Sequence, residues 1–112
     1  MTGSQARRLA RAEAVAVAQA VLLNRLGVLE AACRLSSLRH DGDAENDGDF
    51  LVMAAAWDDT DGLPVGPERE HWHPDVLPQK NEEIAAVTAH WEPAVRESCR
   101  RIVDRYGPEV WR

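Results

Sequence analysis

Five side chains between Asp58 and His73 could hold a metal ion. Asp58, Asp59 and Asp61 stand upstream of His71 and His73 in WDDTDGLPVGPEREHWH, residues 57–73. Oxygen and imidazole donors of this kind bind zinc or iron, and a metal so held would activate water for hydrolysis. His71 and His73 share a face if their segment is extended. Against this, Trp72 stands between them, Pro74 follows, and no third His or Cys falls at a metal-motif spacing. His90 lies beside Trp91 in a helical pattern, where a histidine is more often hydrogen-bonded than ligating. A metal-binding protein or metal-dependent hydrolase is therefore the alternative reading.

A second candidate is the acidic run DGDAENDGD. Asp43-x-Glu45-x-Asp47-Gly48 matches the first half of a helix–loop–helix calcium site. The bidentate glutamate that closes such a loop would fall on Ala54, and the acidic position before it on Leu51, so calcium binding is not expected. Nucleophilic catalysis has less support. Ser36, Ser37, Ser98, Cys33 and Cys99 sit in helical patterns with no base at readable spacing and no nucleophile-elbow signature. Neither G-x-G-x-x-G nor a P-loop is present. Glu92, Glu97 and Asp104 give no clear set for Mg²⁺ on facing helices. No cofactor is expected.

The connector reading explains more of residues 57–73. Gly62, Pro64, Gly66 and Pro67 exclude regular structure, and aspartates satisfy loop amides locally. Trp57 and Trp72 would then dock the two ends of the loop on the core, contributing ~2–3 kcal/mol each if fully buried. Arg69 would pair with Asp58, Asp59 or Asp61 and hold the loop's shape.

The elements around these residues read as helices. Residues 5–26 suit one helix, with Ser4 as N-cap and Gly27 as stop. Its apolar residues spread around most of the girth, which fits either a central helix or one that partly meets another copy. In the second case Val17, Val21 and the region of Trp91 would form a homodimer contact. VLEAACRLSSLRH makes a second helix ending near His40, and Asp49 can cap a short third one, FLVMAAAW. From residue 79 to 106, Ile84, Thr88, Trp91, Val95, Ser98, Ile102 and Tyr106 follow an i, i+3/i+4 seam that stays in phase through Pro93. That predicts one kinked helix or two collinear ones, ended by Gly107-Pro108. The expected fold is all-α: a single domain over residues 1–112, a bundle of four to five helices, with a long Trp-pinned connector before the last helix.

Three segments, LEAACRLSSLRHD, DFLVMAAAWDDTDGLPVGPEREHW and EIAAVTAHWEPAVRESCRRIVDRY, together resemble a family of small bacterial helical proteins known only as a domain of unknown function. The resemblance covers most of residues 28–106. Its most specific element is Asp61-x-Leu63-Pro64-x-Gly66-x-x-Arg69-x-x-Trp72, and Trp57 and Pro93 depart from the pattern. It implies a cytoplasmic helical domain and brings no reaction, cofactor or catalytic residue.

Charge gives the functional expectation. The 112 residues carry a net charge of −6, and residues 41–61 hold eight acids with no Lys or Arg. An acidic chain is a poor match for nucleic-acid phosphates, which call for clustered positive charge. The uncharged run over residues 14–24 is too short to span a membrane, which takes roughly 20 apolar residues. Cys33 and Cys99 read as reduced core residues. A non-catalytic, cytoplasmic protein-interaction domain is expected, immunity- or antitoxin-like, whose partner is a protein with a basic surface. Its contacts would be Asp41, Asp43, Asp47, Asp49, Asp58, Asp59, Asp61, Arg69 and Trp72.

Overall fold

Alanine and leucine favour helix, and four α-helices form among the described residues. The computed structural model describes residues 3–65 and 70–110. They comprise α1 (Gly3–Leu22), α2 (Val28–Leu38), α3 (Gly48–Asp58) and α4 (Leu77–Val110), with no strand among the described residues. None of these helices is long and apolar enough to cross a membrane.

The stop of α1 lies earlier than Gly27. Asn24 takes a left-handed conformation, φ 59°. Its N–H donates to the carbonyl of Val21 at 3.0 Å, and the N–H of Arg25 donates to that of Ala20 at 2.8 Å. This pair of bonds closes a helix in the Schellman manner, with asparagine in the place glycine usually takes. Arg96 of α4 completes the end by donating to the carbonyls of Val21 and Leu22 and to Asn24 Oδ1. Gly27 instead precedes α2 as its N-cap, in extended conformation.

The α2–α3 turn repeats the device. Asp43 is left-handed, φ 55°, with Asp43 N–H on the carbonyl of His40 and Ala44 N–H on that of Arg39. The cap of α3 is then Asp47, whose Oδ1 accepts from Asp49 N–H at 2.9 Å. Asp49, the expected cap, lies inside the first turn and is buried.

α4 is one helix of 34 residues that runs through both Pro93 and Pro108, so Gly107-Pro108 does not end it. At about 1.5 Å per residue it is as long as the molecule's greatest dimension, 49 Å. Its seam is buried at Val95, Ser98, Ile102 and Tyr106 and only half-buried at Ile84, Thr88 and Trp91. The core therefore sits on the second half of α4, where α1 and α3 both run antiparallel to it. Val15, Val21, Leu35, Phe50, Met53, Val95 and Ile102 fill that core.

This placement fixes where the expected contact residues of α1 lie. Val17 and Val21 are buried in the chain's own core, so neither can serve a homodimer contact. The helix is not enclosed all round, however: Leu9 and Leu23 are exposed. Cys33 and Cys99 are both thiols.

Ion pairs tie the ends of this arrangement together. Asp49 is held by Arg101 and Arg105, while Asp47 accepts from Arg105 and from the Tyr106 hydroxyl at 2.7 Å. The guanidinium groups of Arg11 and Arg105 lie 4.9 and 5.6 Å from the centre of the Tyr106 ring. Arg11 also reaches Glu109 and the carbonyl of Gly42.

Candidate functional site: an acidic cleft between two tryptophans

α3 ends in a series of tight turns that bring aromatic and acidic groups together. The N–H of Asp59 bonds back to the carbonyls of Ala55 and Trp57. Thr60, buried, sends both its N–H and its hydroxyl to the carbonyl of Trp57, at 3.0 and 2.7 Å. Asp61 N–H then reaches the carbonyl of Asp58, and Leu63 N–H that of Thr60. Gly62 takes φ +79°, where a side chain would be strained. The chain is thereby folded back so that Pro64 is fully buried and Val65 packs against the core.

These turns form one wall of an open cleft of about 420 Å³, lined by Trp57, Asp58, Thr60, Asp61, Gly62, Leu63 and Trp72. Among the described residues, the carboxylates of Asp58 and Asp61 have no ion pair or hydrogen bond, and both are exposed. Among the described residues no basic one lines the cleft. It also lies at the C-terminal end of α3, where the helix dipole adds negative potential. Asp59, between the two acids, is turned away to accept from the indole N–H of Trp91 at 2.6 Å, which fixes the turn against α4.

Two tryptophans and two carboxylates lining one open cleft attract a cation: the rings through their quadrupole, the acids through their charge. An internal example stands alongside. Lys80 Nζ lies 5.7 Å from the centre of the Trp72 ring while pairing with Glu83.

The residues expected to act together are not all brought together. Asp58, Asp61 and Trp72 share the cleft. Asp41 and Asp43 are exposed on the α2–α3 turn, whereas Asp47 and Asp49 are consumed by Arg101, Arg105 and Tyr106 and present no charge to a partner. The expected exposure of those two carboxylates is thus corrected. Arg69 lies outside the described residues. Trp57 packs on the core as expected of a pin, but Trp72 does not join it; both remain half-buried, and buried Pro64 anchors the connector instead.

His71 and His73 are exposed, and His73 Nδ1 accepts from Asp75 N–H at 3.1 Å. Among the described residues no three His, Cys, Asp or Glu side chains gather as a metal site requires. In the calcium-like run, Glu45 pairs with His40 and Asp47 with Arg105, on separate neighbours. The buried Cys99 thiol is pushed up to about 12 by desolvation, which leaves it protonated and inert.

Sequence reasoning missed Trp57 and Thr60 as cleft walls and Trp91 as the latch. The only available signal was the Asp-Asp-Thr-Asp run directly after a helix-ending tryptophan.

No family model, curated protein or solved structure matches the chain. The resemblance described above rests on its sequence motif alone.

Proposed function

We propose that this chain is a non-catalytic protein-interaction domain acting in the cytoplasm, and that its Trp57–Trp72 cleft receives a cationic side chain from a basic partner. The observation that carries this reading is the pair of carboxylates, Asp58 and Asp61, which have no partner among the described residues and line a cleft with two tryptophans. Acids beside aromatic rings stabilise a bound arginine or lysine more than either feature alone, because charge attraction and the ring quadrupole add. The net charge of −6 steers a basic surface towards the domain. An immunity- or antitoxin-like role, in which the domain masks a basic nuclease, is one form of this activity.

Titration of the protein with hexa-arginine, followed by tryptophan fluorescence and calorimetry, tests the proposal. Binding that weakens with added salt, and that falls about tenfold or more in an Asp58→Asn, Asp61→Asn double variant, is the expected result. Binding that is absent, or equal in the double variant, overturns it.

A further inference from the structure

α3 has an unusual composition for a helix at the edge of a bundle. Between Gly48 and Asp58 its only charge is Asp49, which is turned inward onto Arg101 and Arg105. The outward side is apolar: Leu51 is 46% exposed, Ala55 is exposed, and Val52 and Ala54 are half-buried beside them. A helix that is apolar all round belongs in an interior or an interface, yet among the described helices α3 packs mainly on α2 and α4.

Leu51, Ala55 and Asp58 fall at i, i+4 and i+7, so they form one stripe. That stripe covers about 10 Å, two helical turns, and ends at the acidic cleft.

Resting on the cation-accepting reading of the cleft, we infer that the outer face of α3 and the cleft are one docking surface for an amphipathic basic helix of a partner protein. Apolar side chains of that helix, spaced i, i+3/i+4, lie along Leu51 and Ala55. An arginine or lysine at its end enters between Trp57 and Trp72.

Charge sets both the occupant and its direction. At the first turn of α3 the neighbouring charges, Asp47 and Asp49 with Arg101 and Arg105, neutralise one another. At the last turn and just beyond it, Asp58 and Asp61 have no cationic partner among the described residues, so the basic end belongs there. A second copy is a poor occupant, because α3 carries no Lys or Arg to meet those acids. An anionic lipid surface is repelled by those acids.

The test uses two synthetic peptides: a Leu/Arg amphipathic helix, and the same sequence with serine for each leucine. Wild type should bind the amphipathic peptide at least ten times more tightly. Leu51→Ser, an exposed change, should erase most of that preference and leave the serine peptide's affinity unaltered. Asp58→Asn with Asp61→Asn should weaken both peptides. If Leu51→Ser changes nothing while the double variant weakens binding, the α3 face is overturned and the cleft reading stands. If the double variant binds both peptides as wild type does, the cleft reading itself falls. Self-association of wild type in sedimentation, or binding to phosphatidylcholine vesicles, either one abolished by Leu51→Ser, would assign the face to a second copy or to lipid and overturn the inference.

Discussion

Trp91 reaches from the middle of α4 to Asp59, at the C-terminal cap of α3, and its indole N–H donates to Asp59 Oδ2 at 2.6 Å. The bond joins positions 32 residues apart, and neither partner lines the acidic cleft. It keeps the middle member of the Asp58–Asp59–Asp61 group out of the cleft while its neighbours face in.

Replacing that tryptophan with phenylalanine keeps an aromatic side chain and removes the donor. The Trp91→Phe variant should lose about 1 kcal/mol of stability in urea unfolding, in line with an exposed hydrogen bond to a charged acceptor. The freed Asp59 should also alter hexa-arginine affinity, which the same titration reads.

Acid should weaken the junction of α3 and α4 through Asp47. Burial alone would raise its carboxyl, but the Tyr106 hydroxyl, the Arg105 guanidinium and the Asp49 N–H outweigh burial and hold it below the ordinary value. A carboxyl depressed in the folded state contributes stability that is complete above the unfolded value, near ~3.9, and lost as pH falls through the folded one. Wild type should therefore lose stability steeply below about pH 4, and Asp47→Asn should be less stable at neutral pH with a shallower acid limb. Circular dichroism melts from pH 2 to 7 measure both.

Ser98 is an opportunity for stabilisation. Its hydroxyl is buried in the core face of α4 with no hydrogen-bond partner among the described residues. Ser98→Ala removes an unsatisfied polar group at almost constant volume and should raise stability by ~1 kcal/mol. A fall in melting temperature would show that the hydroxyl is satisfied in solution.

Asp43 should also tolerate improvement. It is exposed and left-handed, a conformation that costs an L-residue up to ~1–2 kcal/mol, less for aspartate. Asp43→Gly should stabilise by ~0.5 kcal/mol once glycine's greater chain entropy is counted. Because Asp43 lies apart from the cleft, hexa-arginine affinity should hold.

How far the sequence disclosed all this depends on whether the deciding contact was local. The α4 seam from Val95 to Tyr106 was readable because periodicity is a property of one element. The sequence points to Asp49 as the cap of α3, two residues past the true one, because Asp47 and Asp49 are equally good caps in isolation. Arg101 and Arg105, some fifty positions on, draw Asp49 inward and leave the cap to Asp47. The end of α1 was placed at Gly27 because glycine is the usual left-handed residue, whereas Asn24 with Arg96 behind it does the same work. The cleft was half visible. Its acids and Trp72 were singled out, but its other wall, Trp57, read only as a core pin, because burial on one face and exposure on the other cannot be told from residue type.

Although α4 is geometrically continuous, only its second half is enclosed by neighbours, and Pro93 marks the change. A proline there removes one helical hydrogen bond where packing also thins. Amide hydrogen exchange should therefore divide the helix in two. Residues 95–106 should open only with global unfolding, and residues 77–90 should open locally at far lower free energy. Trp91 falls at the border of these cooperative units. Because Trp91 also holds Asp59, the cleft is attached to the part of the molecule where local fraying meets the rigid core, and a bound partner should slow exchange in the first half of α4 without touching it.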